Sequence, residues 1–310
     1  MSRKLIFLLL AWLCCAGPTF AGDAPPAFTL AGDHPLNGRI WQPGHGFISV
    51  QSLVDQTRAA DFVLLGETHD NADHHALQAW MVGQIAAVGA PPLLAFEMID
   101  NAQGPALSAY LAAHPKDAQG LGAALDWEKS GWPDWRFYAP IAQAGLEAGG
   151  VLAAANLSRA ETRTIATTES SPGQKPQDPL QRQAMADDIQ AGHCHLLPAS
   201  ALPAMVRVQR GRDEAMAHAL AGASRAILIA GSGHVRTDRA VPVHLRDLAP
   251  GAKVFALAFM ETDADAPNPA DYVTAFHAAQ LPFDAVWFTP KAEREDQCEA
   301  FKRQMDKKKG

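Results

Sequence analysis

Cysteine and tyrosine are scarce in this sequence: four of the one and three of the other among 310 residues. Cys14 and Cys15 end an N-terminal apolar run, which leaves Cys194 and Cys298 beyond it. Two cysteines are no disulfide framework, so the fold has to rest on an apolar core, and whether they pair is left open. A basic excess is missing as well. The net charge is -7 with Arg3 and Lys4 counted in, so electrostatics give nucleic-acid binding no support. No P-loop, GxGxxG, GxSxG or HExxH pattern occurs. That removes the usual signatures of a bound nucleotide, of a serine at a strand–helix turn and of a helix-borne zinc. There are no internal repeats.

Long apolar runs are also lacking. Met1 to Lys4 is a short basic start, and Leu5 to Leu13 is too short for an ordinary transmembrane helix. Small residues flank a cleavage point after Ala21. The pattern is that of a secretory signal over residues 1–21. The expectation is an exported, periplasmic protein with one domain over residues 22–310. Lipidation at Cys14 or Cys15, with a membrane anchor, is the competing reading. Ala11-Trp12-Leu13 before Cys14 is a poor context for it. Roughly 290 mature residues, from a chain that is 48% hydrophobic, can bury a large core.

What is present is a set of short apolar strands that end in polar groups. Phe62 to Leu65 runs into Gly66-Glu67-Thr68-His69-Asp70. Leu93 to Phe96 runs into Glu97, Val151 to Ala155 into Asn156, and Ala226 to Ala230 into Gly231-Ser232-Gly233-His234. Val254 to Met260 runs into Glu261, and Ala285 to Thr289 is a last strand. Runs this short and this apolar suit a parallel sheet covered on both faces. Helical stretches alternate with them, which predicts an α/β fold: a mostly parallel sheet flanked by helices, with a helical and aromatic-loop insertion. Ligands bind at the carboxyl ends of such strands. Glu67, His69, Glu97, Asn156, His234 and Glu261 are therefore expected to line one crevice. Loop polarity alone also puts polar groups at strand ends. The two GxxH turns favour a shared site, since a glycine lets the backbone turn tightly as it leaves the strand.

Between the strands, Ala24 to Gly46 reads as loop with room for one short hairpin near Ile40 and Trp41. Ser49 reads as the cap of a helix ending at Asp61. Residues 71 to 88 form a helix with Leu77, Met81, Ile85 and Val88 on one stripe, and with His74 and His75 in its first turn near the crevice. Asn101 to Pro115 is a second helix. Leu125 to Pro140 holds three tryptophans, Phe137 and Tyr138 in a Gly/Pro-punctuated loop. It is either a flat ligand wall or an aromatic minicore. Ile141 to Gly149, Gln181 to Ile189 and Pro198 to Gly222 are helical. Asp213 in the last of these either orients a site histidine or is surface. Thr162 to Pro179 lacks periodicity and reads as a mobile excursion. His193-Cys194-His195 reads as loop rather than metal site, and residues 291 to 310 as a frayed helix.

Two histidines and two or three carboxylates are a ligand set for a divalent metal with an open position, so Glu67, His69, Glu97 and His234 are the metal candidates. The same four groups suit metal-free acid/base hydrolysis. Spacing does not choose between these.

The series Leu64-Leu65-Gly66-Glu67-Thr68-His69-Asp70, Phe96-Glu97-Met98, Ser130 to Trp135 with Tyr138, Ala155 to Arg159, Gln209 through Asp213 to Ala217, and Ala230 to Arg236 resembles the ChaN-type haem-binding uptake family. More remotely it is similar to the Tiki/TraB and erythromycin-esterase-like proteins. The resemblance implies an exported protein of bacterial iron and haem acquisition. It implies ferric haem on an axial side chain in a groove near the strand ends, a tyrosinate being a hard ligand suited to ferric iron. Carried onto this chain, Tyr138 is the first axial candidate among Tyr110, Tyr138 and Tyr272, with His69 and His234 as fallbacks. Arg159 or Arg236 would meet the propionates. A homodimer and outer-membrane haem-uptake machinery are partners that the resemblance leaves open. The remote relatives carry the rival, a hydrolase.

Overall fold

The computed structural model describes residues 24–168, 178–296, 298–299 and 301–303. The expected signal segment, the middle of the expected mobile excursion and the last part of the tail lie outside them. Eight strands are described: β1 (Ile40–Gln42), β2 (Gly46–Ile48), β3 (Phe62–Glu67), β4 (Leu93–Asp100), β5 (Val151–Asn156), β6 (Ala226–Gly231), β7 (Val254–Glu261) and β8 (Ala285–Thr289). They form one sheet in the order β2-β1-β8-β7-β3-β6-β4-β5. The six strands from β8 to β5 are parallel, and the β1–β2 hairpin adds antiparallel to the β8 edge. The apolar runs thus form the expected mostly parallel sheet, and the room left for a hairpin near Ile40 is filled by one.

β3 is central and every residue of it is buried. Its alternate side chains feed two layers, as the period of two requires. Val63 and Leu65 face α1 (Val50–Arg58), α2 (Ala72–Ala86) and α5 (Trp135–Glu147) through Leu53, Leu77, Met81, Ile85 and Ile141. Phe62 and Leu64 face α8 (Leu202–Ala221) and α9 (Val241–Leu248) through Met216, Leu220, Val241 and Leu245. The helix α2 starts where Asn71 accepts the backbone N–H groups of Asp73 and His74, a side-chain cap on donors that lack intrahelical partners.

The topology positions the site. β6 lies between β3 and β4, with Glu67 level with Gly231 and Phe96 level with Ile229. The carboxyl ends of these three strands are therefore neighbours. Past Phe96 the pairing of β4 with β5 shifts, from Phe96 opposite Ala154 to Asp100 opposite Asn156. Glu97 sits at the start of this bulge, a device that re-aims a side chain at a sheet edge.

Three expectations need correction. The aromatic stretch is only partly loop, because α5 begins at Trp135, capped by Asp134. The expected excursion is helical at its start, as α6 (Arg159–Thr167), where Ser158 and Glu161 cap each other's backbone. The glycines of the two GxxH turns supply space rather than a turn. Gly231 has φ -60 and ψ 146, open to any residue. A Cβ on Gly66 would stand 2.4 Å from Val235 Cγ2. The remaining described helices are α3 (Gly104–Ala113), α4 (Leu121–Ala124) and α7 (Pro179–Gly192).

Candidate functional site

Glu67, His69, Glu97 and His234 come together at the carboxyl ends of β3, β4 and β6. Glu67 is the hub on the β3 side. Its Oε1 accepts His69 Nδ1–H at 2.8 Å and the Tyr138 hydroxyl at 2.9 Å. His75 Nδ1 lies 3.2 Å from Glu67 Oε2, off the angle of a hydrogen bond, and its Nε2–H donates to the His69 carbonyl. Burial by itself would lift the Glu67 carboxyl. The histidines outweigh it and hold the group well below the usual carboxylate range. Burial opposes the charged forms of His69 and His75, yet both are raised overall, chiefly by Glu67.

A second relay lies on the β6 side. Asp213, on α8, accepts His234 Nδ1–H at 2.6 Å, and His234 Nε2 lies 3.3 Å from Glu97 Oε1. Glu97 Oε2 accepts the Gly231 N–H at 2.7 Å. Burial would lower His234, but Glu97 and Asp213 push it up to about 10. Burial would raise Glu97, but His234 and His69 bring it down to about 2. Asp213 is lifted by its own burial against the pull of His234. Gln209, one turn earlier on α8, approaches both ring nitrogens of His234.

The two relays meet at His69. A Cβ on Gly231 would stand 2.9 Å from His69 Nε2 and 3.6 Å from Glu97 Oε2. His69 Nε2 has no hydrogen-bond partner among the described residues, and its side chain is 34% exposed. The Trp132 ring meets it edge-on at 4.9 Å. Trp132 and Glu97 also line a groove of about 810 Å³. Met98, Leu125 and Leu157 form apolar parts of its wall, and Lys129, Arg159, Arg163 and Arg212 its cationic rim. Asn156 ties its floor, donating to the Glu97 carbonyl.

Several candidates stand elsewhere. Tyr138 is fully buried beneath the site, with its hydroxyl committed to Glu67. Burial beside that carboxylate raises its pKa far above the ordinary value, so a tyrosinate there is the least favoured form and the axial role does not suit it. Tyr110 donates to Asp117, and the Tyr272 hydroxyl accepts the Asp263 N–H. Neither lines the groove. Arg236 is buried against Asp188, Asp238 and the Phe276 carbonyl and does not reach the groove either. Glu261 belongs to a separate clamp with Asn71 and Arg294. His234 is 6% exposed with both nitrogens engaged, which leaves no lone pair for an external ligand. His74 is structural: Nδ1 accepts the Thr68 N–H, Nε2–H donates to Thr289, and burial lowers it to about 3.

The aromatic stretch does both things proposed for it. Trp127, Trp135 and Tyr138 pack as a minicore, while Trp132 alone turns to the groove. Cys194 and Cys298 form a disulfide, which leaves His193-Cys194-His195 a loop without a free thiolate. Among the described residues no three His, Cys, Asp or Glu side chains are arranged to hold a metal ion. The sequence reading missed Arg163 and Arg212. Two arginines four residues apart, at 159 and 163, were the one signal available.

A sequence model of the family described as haem-binding uptake, Tiki superfamily, ChaN matches residues 53–245. No curated protein matches the chain. Among solved structures, ChaN of Campylobacter jejuni, described as binding haem cofacially, is 22% identical and superposes with a TM-score of 0.66. It covers 80% of this chain and 95% of its own. At that identity the likeness speaks to fold. The type III effector HopBA1 is 15% identical at a TM-score of 0.46, with coverage of 83% and 99%. An erythromycin esterase mutant in its open conformation is 16% identical at 0.37, with coverage of 81% for both chains.

Proposed function

The chain belongs to the ChaN family of haem-binding uptake proteins in the Tiki superfamily, and on that premise we propose that it binds ferric haem in the groove beside His69. The observation that carries the reading is His69 itself. Its Nδ1–H is donated to a buried carboxylate, while Nε2 has no hydrogen-bond partner among the described residues and the side chain is partly exposed beside an aromatic wall. A histidine held through its other nitrogen by a carboxylate is oriented as a metal ligand and made more basic. The groove supports the fit with apolar walls, Trp132 and a cationic rim. Haem bound there would supply the iron to be carried. His69 would offer a nitrogen to the iron, Trp132 the flat contact, and Arg159 the charge for a propionate. The wider reading is an exported protein of iron and haem acquisition, delivered by the signal over residues 1–21, with outer-membrane uptake machinery as partner. The Campylobacter protein binds haem cofacially. The same stacking here would follow if two chains met groove to groove in a homodimer.

A second reading, acid/base hydrolysis, is favoured by one observation. The Asp213–His234–Glu97 and Glu67–His69 relays lie side by side, and Glu97 lines a groove wide enough for a substrate. Groups with such displaced protonation cluster at catalytic sites. Hemin titration of the mature protein, followed in the visible spectrum, tests the first reading. Saturable binding is expected, and His69→Ala should displace the Soret band. Absence of saturable binding to the wild type overturns it and leaves hydrolysis.

A further inference from the structure

The acidic groups that line the groove all have partners. Glu97 is held by His234 and the Gly231 N–H, Asp100 caps two backbone N–H groups, and Asp126 pairs with Lys129. Three of its arginines have none. Arg159, Arg163 and Arg212 make no ion pair among the described residues, although Arg136, Arg236, Arg239 and Arg294 all do. Arg212 Nε is sealed from solvent without any hydrogen-bond partner among the described residues, so no contact inside the protein neutralises that guanidinium. Arg159 and Arg163 lie one turn apart on one face of α6, which packs against α8, the helix that carries Arg212. Arg159 is moreover the first residue of α6. A cation there opposes the positive end of the helix dipole unless an anion offsets both. In a chain of net charge -7, three uncompensated guanidiniums on one wall are matched by no acidic group among the described residues of the groove.

We propose that Arg159, Arg163 and Arg212 form one anion clamp at the α6–α8 rim, which binds the two free carboxylates of a tetrapyrrole and selects ligands that carry them. The inference rests on the haem reading and deepens it. Guanidinium forks bind carboxylates in pairs of parallel hydrogen bonds. Three forks can therefore hold two propionates. The clamp stands apart from the Glu67–His69 pair, so ligand choice by acid groups and ligation of iron are separable properties. A metal-free tetrapyrrole diacid should then bind without any axial bond.

The test uses four probes on the mature chain: hemin, protoporphyrin IX, and the dimethyl ester of each. Binding is read from absorbance and from quenching of tryptophan fluorescence by way of Trp132. Both diacids should bind, and both esters about tenfold or more weakly, because each lost ion pair in a partly closed groove removes a charge-assisted contact. Arg212→Gln should weaken diacid binding about tenfold and lower its salt sensitivity, while leaving ester binding and the Soret position unchanged. Arg163→Gln, on the exposed face of α6, should act in the same direction, and it keeps the test decisive if Arg212→Gln does not fold. Esters that bind as tightly as the acids overturn the clamp and leave the haem reading intact. Arginine variants that weaken acid and ester alike also overturn it. Failure of every probe to saturate the wild type overturns the haem reading, and the clamp with it.

Discussion

Tyr138 gives its hydroxyl hydrogen to Glu67 Oε1 across 2.9 Å, between residues 71 apart in the chain. The bond fixes the carboxylate that in turn fixes His69. A phenol so placed is a support for the site, not a ligand within it.

Tyr138→Phe should therefore leave hemin affinity and spectrum nearly unchanged while lowering stability. Losing a buried bond to a charged group costs about 1.5–3 kcal/mol. Urea unfolding beside a hemin titration measures both. A Soret band that moves in this variant would restore Tyr138 as the axial ligand.

Gly231→Ala adds a methyl 2.9 Å from His69 Nε2. Overpacking of this kind costs about 1–3 kcal/mol, so the fold should survive while the ring is driven from its place. The expected result is a protein with native circular dichroism whose hemin spectrum resembles that of His69→Ala. An unchanged spectrum would mean that Nε2 does not face the ligand.

Against the lowering effect of burial, Glu97 and Asp213 raise the His234 pKa from 6.5 to about 10. The folded chain thus holds a proton that the unfolded chain releases above pH 6.5. Its contribution to stability is full below that pH, shrinks as pH rises, and is gone beyond about 10. Urea midpoints should fall across this interval. Asp213→Asn, which removes one of the two carboxylates, should flatten the slope. A wild-type stability that is constant from pH 6.5 to 10 would contradict the charge assigned to His234.

The Cys194–Cys298 disulfide closes a loop of 104 residues and ties the C-terminal segment to the end of α7. Its reduction should cost about 2–4 kcal/mol. Cys194→Ser with Cys298→Ser should reproduce that loss in a thermal melt. Equal melting of oxidised and reduced protein would show the tie to be without effect.

Sequence alone determined the parts that depend on neighbours in the chain. The apolar runs 62–65, 93–96, 151–155 and 226–230 announced parallel strands, buried in all but the edge strand that starts at the exposed Val151, and the polar residues that end them announced the crevice. The helix cap at Ser49 and the helix start at residue 71 were legible for the same reason: a cap and the donors it serves lie within three residues. The local signals misled where packing outweighed them. The glycines of the GxxH turns read as backbone freedom, yet they are required by Val235 and His69 approaching from elsewhere. Only the tertiary structure decided which of the polar groups work together. Strand order put β6 between β3 and β4, bringing Glu67, Gly231 and Glu97 side by side. Helix packing delivered Asp213 to His234, Tyr138 to Glu67, and Arg212 to the rim shared with α6. It also withdrew Arg236 and Glu261 into pairs of their own. Such choices are settled by contacts between residues tens to hundreds of positions apart. They depend on which faces of the helices are covered when the sheet closes, and no window of sequence contains that information.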